Sequence, residues 1–320
     1  MHRGHPAVWP DLATLLLCCA LLATMSGTQA GTIDDWIRSF TDSQIEFQRS
    51  TSNVPFVPLA FAEVSYYNDA EIRVDKGRAL SFDQTTVSQA VGLPFLISPR
   101  DVVVIGEWTS WSEFRTRSSA FESFDVISIG IPVGWLRQVN PDWQAAAFVM
   151  PLASKASLND ASWSWQYMGG AFARYVQSDT LWWAFGLFVN VAPGEDSYLP
   201  YLGASWELND QWMISAVMPW PAVLYAPTKD TLFRFGAAPS GASWAIRPDD
   251  EKVAFELDSW DLGISAEHRV HGNLWLTLEA GVGGLRGLRV TEGRWQGPEI
   301  DLGSSPYVAL GINFRPAILQ

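Results

Sequence analysis

The chain has 320 residues, 34 acidic against 21 basic, a net charge of −13, 48% hydrophobic and 17% charged residues, and 17 Trp. Charged residues fall below the ~25% of an ordinary soluble domain, and a chain this rich in aromatics is not disordered. Its acidic balance excludes nucleic acid recognised through a basic surface, leaving a large β-rich core or a surface that faces lipid.

The first thirty residues read as an address. Arg3 gives a weakly basic start, residues 13–24 are apolar, and Ser26-Gly27-Thr28-Gln29-Ala30 supplies small residues before Gly31. This is the pattern of a secretory signal peptide cut after Ala30, and the run is shorter than the ~20 residues of a spanning helix. Cys18 and Cys19 both lie inside it. Residues 31–320 therefore have no cysteine for a disulfide, a metal thiolate or a nucleophile. Next, Ile33, Trp36, Ile37 and Phe40 recur at helical spacing, with Thr32 and Asp35 placed as a capping box. Residues 31–56 are expected to be a periplasmic segment with a short amphipathic helix, lying at the interface or in the lumen.

From residue 57 the period changes to two. Ile127, Ile129, Ile131, Val133 and Trp135 oppose Ser128, Gly130 and Gly134. Leu181, Trp183, Phe185, Leu187, Val189 and Val191 oppose Ala184, Gly186 and Asn190. Leu202, Ala204, Trp206 and Leu208 oppose Tyr201, Gly203, Ser205 and Glu207. Leu274, Leu276, Leu278, Ala280 and Val282 oppose Trp275, Thr277, Glu279, Gly281 and Gly283. Such alternation predicts strands. A soluble sandwich would carry many Lys and Glu on its polar face; here that face is mostly small, as in a crowded lumen behind a lipid-facing surface. Trp163, Trp165, Tyr167 and Tyr175 near the ends of one strand, and Trp143 and Trp212 after turns, suit the two membrane interfaces.

Tight polar turns recur at Ser98-Pro99-Arg100-Asp101, Pro141-Asp142-Trp143, Ser178-Asp179-Thr180-Leu181, Asn209-Asp210-Gln211-Trp212, Lys229-Asp230-Thr231-Leu232 and His271-Gly272-Asn273-Leu274. Longer links alternate with them at 68–83, 116–123, 157–161, 192–197, 239–251 and 286–305. Short turns at one end and long loops at the other match the periplasmic and extracellular ends of a membrane barrel. The predicted segments are 57–67, 83–96, 101–113, 124–138, 142–155, 163–177, 180–191, 200–208, 211–219, 221–228, 231–241, 252–270, 273–286 and 304–314. The pair within 211–228 is short and interrupted by Pro219 and Pro221. Parity slips near Ser259, where a bulge is expected. The fold expected is all-β: a transmembrane antiparallel β-barrel of about fourteen strands over 57–315, with twelve or ten as alternatives.

On the last strand, Val308, Leu310, Ile312 and Phe314 face one way, and Tyr307, Ala309, Gly311 and Asn313 the other. Tyr307, Gly311, Ile312 and Phe314 carry the expected signal to the barrel assembly machinery, followed by a short tail of residues 315–320. Predicted lumen charges are Glu63, Glu207, Glu267 and Glu279 with Arg174, Arg234 and Arg269; Leu59 and Phe61 share the parity of Glu63. They line a pore and tune its ion preference, or they fill a narrow lumen with salt bridges.

The stretch Tyr201-Leu202-Gly203-Ala204-Ser205-Trp206-Glu207-Leu208-Asn209-Asp210-Gln211-Trp212, then Met218-Pro219-Trp220-Pro221-Ala222 and the closing strand 306–314, resemble a family of bacterial outer-membrane proteins known as domain of unknown function 6268. The resemblance spans about residues 57–315. It implies a β-barrel in the bacterial outer membrane and supplies no activity and no site residues.

Chemistry is sparse. A Ser–His hydrolase needs a base within reach of its nucleophile. After residue 30 the only histidines are His268, expected on the lipid or interfacial side, and His271, in a tight turn. Carboxylates form no diagnostic pair, and the acidic loop runs 194–196 and 249–251 read as solvated surface. No enzyme, cofactor or metal site is expected. The expected partners are outer-membrane lipid, the assembly machinery and small solutes or cations. The leading role is a passive pore for small solutes, against a structural or surface barrel with a filled lumen or, third, a lipid-active enzyme.

Overall fold

Large β-branched and aromatic residues at every second position favour an extended, pleated backbone. The computed structural model describes residues 43–45, 52–74, 78–116, 123–157, 162–192, 196–218, 220–239, 242–246, 253–257, 260–285, 289–291, 294–296 and 305–316. Its strands are β1 (Ala60–Val74), β2 (Arg78–Ser98), β3 (Asp101–Thr116), β4 (Phe124–Gly130), β5 (Val133–Asn140), β6 (Trp143–Ala156), β7 (Ser164–Ser178), β8 (Leu181–Val191), β9 (Asp196–Glu207), β10 (Trp212–Ser215), β11 (Ala222–Thr228), β12 (Thr231–Pro239), β13 (Ala242–Ile246), β14 (Val253–Leu257), β15 (Trp260–His271), β16 (Leu274–Leu285), β17 (Arg289–Thr291), β18 (Arg294–Gln296) and β19 (Ser305–Phe314).

Each barrel strand pairs antiparallel with its neighbours, and β1 pairs both with β2 and with the last strand, β19. The ring therefore closes and leaves no unpaired edge. β4 and β5 both lie between β3 and β6, so they form one strand interrupted at Ile131-Pro132. Proline has no N–H to give to the ladder, while its carbonyl still accepts from Gly106 N–H at 2.9 Å. Counted this way the barrel has fourteen strands. The weak pair is real: β10 is four residues long, and an isolated bridge joins Met218 to Leu202 beyond it.

The segment 252–270 requires a correction. It is not one bulged strand. β14 pairs with β13 in a separate two-stranded sheet, and only β15 enters the barrel, between β12 and β16. The parity slip near Ser259 falls at a change of sheet, and the expected irregularity lies just after it, where the β15–β16 register shifts between Trp260 and Leu262. β13 arises within the predicted loop 239–251, and β17–β18 form a small hairpin within 286–305. Across the predicted 68–83 link, β1 and β2 stay paired to Val74 and Arg78 past an irregularity at Tyr67/Ala70, where Asp69 takes a φ of 62°. The expected leader and the helix bearing Ile33, Trp36, Ile37 and Phe40 lie outside the described residues. Gln44–Gln320 forms one compact unit.

Polarity around this ring is inverted. Leu93, Phe95, Ile105, Ile129, Val149, Leu187, Phe235, Ile264, Leu278 and Leu310 are exposed, whereas Ser65, Ser110, Ser128, Ser154, Gln166, Ser205, Glu267 and Thr277 are buried. An apolar outer band on this scale is not sustained in water, but it suits acyl chains, and the paired backbone of a closed ring meets the bilayer's demand for hydrogen bonds. Aromatics border the band beside the tight turns: Trp143 lies 4.9 Å from Tyr175 and Trp212 4.4 Å from Tyr225. There Trp135 Nε1 donates to Asp101 Oδ1 at 3.1 Å and Trp183 Nε1 to Gln177 Oε1 at 2.8 Å, as amphipathic rings do at an interface.

Candidate functional site

The candidate site is the lumen. Eight-stranded barrels are filled by their own side chains and the interior widens with strand number, so a ring of fourteen holds more space than a single layer of small residues takes up. Its inward side chains divide into two walls.

The first wall is β15, β16, β19 and β1. In-register pairs Glu279↔Ala309, Gly281↔Tyr307 and Tyr67↔Tyr307 put their side chains on one face. Tyr67 donates to Asp261 Oδ2 at 2.7 Å, Tyr307 donates to Glu279 Oε1, and the two rings stack at 5.0 Å. Glycines opposite make this packing fit: a Cβ on Gly263 would lie 2.2 Å from the Tyr307 hydroxyl, and one on Gly283 would lie 2.8 Å from the Tyr67 ring.

At the tight-turn end, Arg315 Nη2 meets Glu267 Oε2 at 2.6 Å, with side chains only 7% and 9% exposed. Asn313 Nδ2 donates to Glu267 at 3.0 Å and to Thr277 at 2.8 Å. Trp275 is fully buried between two guanidiniums, Arg269 at 5.2 Å and Arg315 at 5.6 Å from its ring. Arg315 also donates to the Phe56 carbonyl.

Residues 52–58 reach this end from the other side of the ring. Asn53 N–H donates to Asp210 O at 2.6 Å and its side chain to Ala226 O at 3.2 Å. Val54 is buried with the inward-facing Ala226 and Leu232. On the β2–β3 turn, Gln44 N–H donates to Pro99 O at 2.8 Å and Arg100 Nε to Gln44 Oε1 at 2.6 Å.

The second wall is β6 to β9. Phe148, Phe172, Phe188 and Tyr201 share the parity of the buried Gln144, Gln166, Ala184 and Ser205, so they point inward. Phe172 stacks on Phe148 at 5.9 Å and meets Tyr201 edge-on at 4.8 Å. Gly170 and Gly186 make room, since a Cβ on either would lie 2.6 Å from the Phe172 ring. Around the aromatics run neutral pairs: Ser128–Ser154 at 2.8 Å, Gln144 to Gln138 at 2.7 Å and Gln166 to Asn190 at 2.6 Å.

The seven predicted lumen charges distribute as follows. Glu63 lies opposite Gly311, on the inward face of β1. Glu267 and Glu279 belong to the first wall. Arg234 lies opposite the buried Ser265 and donates to Ala237 O at 3.2 Å. Arg269 pairs with Asp230 at 3.1 Å, at the rim. Arg174 stands apart on β7, donating to Gln144 at 3.4 Å and covering Trp182 at 4.9 Å. Glu207 is buried at the foot of β9. Of the assembly-signal residues, Tyr307 and Gly311 turn inward, Ile312 is exposed, and Phe314 lies between Ala60 and Leu274. Sequence reasoning missed Arg315, which it left in the tail, along with Tyr67, Asp261 and the aromatic wall. Parity could have found Arg315, two residues beyond Asn313, and Asp261, four before Ser265. His268 is exposed, with Nδ1 3.0 Å from Thr231 Oγ1.

The family described as a domain of unknown function, DUF6268, matches residues 102–315. The chain belongs to the DUF6268 family. No curated protein matches it. Among solved structures, this DUF6268 barrel is similar to the COG4313 outer membrane channel from Pseudomonas putida F1, at 9% identity, covering 80% of this chain and 95% of that one, with a TM-score of 0.47. It is also similar to the P. putida toluene transporter TodX, at 10% identity, 80% and 90% coverage and a TM-score of 0.44. The translocator domain of the autotransporter NalP from Neisseria meningitidis aligns at 9% identity over 93% of this chain and 97% of its own, with a TM-score of 0.37. Likenesses this distant say nothing of a solute.

Proposed function

We propose that this barrel sits in the bacterial outer membrane and acts as a non-enzymatic, passive pore for small solutes. The observation that carries this reading is the inverted polarity of a closed fourteen-strand ring, apolar outside and polar within. Outer-membrane acyl chains cover the outside, and the assembly machinery reads the last strand through Tyr307, Gly311, Ile312 and Phe314. A mild cation preference is expected. Glu267 is balanced by Arg315 and Arg269 by Asp230. Among the described residues, the inward carboxylates Glu63, Glu207, Asp261, Glu267 and Glu279 outnumber the inward guanidiniums Arg174, Arg234, Arg269 and Arg315. Planar-bilayer recording of the purified protein tests this: steady single-channel steps with a cation-selective reversal potential support it, and a folded barrel without steps sinks it.

One observation favours a second reading, a barrel with a filled lumen. Residues 52–58, Trp275 and the Glu267–Arg315 pair occupy the tight-turn end. Here Arg315→Ala, which releases Phe56 and Trp275, separates the two. A pore already open keeps its steps and gains cation preference as Glu267 loses its partner, whereas a plugged barrel gains steps it lacked.

A further inference from the structure

Among the described residues, the outer surface carries a polar island inside the apolar band. On β2 and β3, Gln89, Glu107 and Thr109 share the outward parity of the exposed Leu93 and Ile105, and Thr109 lies opposite the exposed Ile129 of β4. Glu107 stands six residues after Asp101 at the tight turn and four before Trp111. A tilted strand crosses the hydrocarbon in about 9–11 residues, so this carboxylate sits near mid-depth, facing acyl chains. Gln89 Nε2 donates to Glu107 Oε1 at 3.2 Å, and the Thr109 hydroxyl donates to the same oxygen. Among the described residues Glu107 Oε2 receives no hydrogen bond, and one N–H of the Gln89 amide is left over.

We propose that this face of β2, β3 and β4 is where a second copy of the chain docks. A polar group at mid-depth is retained where something bonds it. Acyl chains offer no donor, and water is absent there. A second copy brings its own Gln89 amide and Glu107 carboxylate at the same depth. The island holds an acceptor and a donor side by side, which is what a two-fold contact needs: Gln89 of each copy donates to Glu107 Oε2 of the other. The exposed Leu93, Ile105, Ile129 and Ile131 around it supply apolar packing once lipid is displaced. The inference is independent of whether the lumen conducts.

The test uses the full chain with Cys18→Ser and Cys19→Ser, folded into liposomes. In that background Ile129→Cys beside the island, or Phe235→Cys on β12 across the ring, is treated with a short bismaleimide. Cross-linked dimer is expected from Ile129→Cys and not from Phe235→Cys. Adding Glu107→Leu with Gln89→Leu is expected to cut the dimer at least tenfold, while heat-modifiable migration shows the barrel still folded. A folded Ile129→Cys protein that stays monomeric overturns the proposal. So does equal dimer from both positions, or dimer that persists without Glu107 and Gln89. Co-purification from native membranes of a different protein cross-linked at position 129, in place of the dimer, also overturns it.

Discussion

The β15–β16–β19–β1 wall and the β6–β9 wall obey the same alternation, yet they do different work. On the first, charge is held by charge: Arg315 by Glu267, Arg269 by Asp230, with both tyrosines tied to carboxylates. On the second, Phe148, Phe172, Phe188 and Tyr201 meet each other, and amides and hydroxyls pair among themselves, with Arg174 donating to the Gln144 amide beside them. A buried ion pair lost on one side leaves an uncompensated charge, whereas a ring lost on the other leaves only room. The first wall is therefore the fixed side of the lumen and the second the side that can be re-cut.

The largest effects are expected where charge is stranded. Glu267→Leu leaves the buried Arg315 without its partner and should cost about 3–5 kcal/mol of folding stability. Adding Arg315→Met should restore most of that. The comparison is a urea refolding series followed by heat-modifiable migration, and additive losses in the double variant would break the argument. Close behind, Trp275→Ala removes a fully buried ring from between Arg269 and Arg315. Loss of about 3–5 kcal/mol follows from truncating an aromatic this enclosed, read from the same refolding midpoints.

Arg315 and Asp261 also show how much of the lumen was legible. Strand number, the outward face and the inward position of Glu267 and Glu279 follow from period two, because a one-residue slip would turn every apolar side chain the wrong way. Partners do not follow. Glu267 and Arg315 are 48 residues apart and meet because β15, β16 and β19 are adjacent, a fact of register that no local pattern carries. The aromatic wall was hidden for another reason. Phe148 and Phe172 lie on a face otherwise rich in small and polar residues, and Gly186, read as lumen lining, is together with Gly170 the hollow into which Phe172 fits. The slip at Ser259 carried the right information, a loss of register, but a bulge and a change of sheet leave the same trace in one strand.

On the second wall Phe172→Ala should be milder for stability, about 1–3 kcal/mol, since the ring is half-buried and faces the lumen rather than a sealed core. Its larger consequence is functional. Removing it detaches the Phe148 stack from Tyr201 and widens the lumen, so single-channel conductance should rise while the reversal potential stays put, because no charge is altered. An unchanged conductance would place the constriction elsewhere, against the division into a fixed and a re-cuttable side.

The smallest effect sharpens the same division from the fixed side. Tyr67→Phe keeps the ring that stacks on Tyr307 and deletes only the hydroxyl that donates to Asp261 at 2.7 Å. A hydrogen bond to a charged acceptor contributes about 1.5–3 kcal/mol, and lumen water can take over part of it, so a loss of about 1 kcal/mol is expected. What should move is selectivity. With the Tyr67 donor removed, the Asp261 carboxylate presents more negative potential to passing ions. Cation preference should therefore rise in Tyr67→Phe with conductance nearly constant, the reverse of the pattern for Phe172→Ala. Should both variants shift the same observable, the two walls would not be separable.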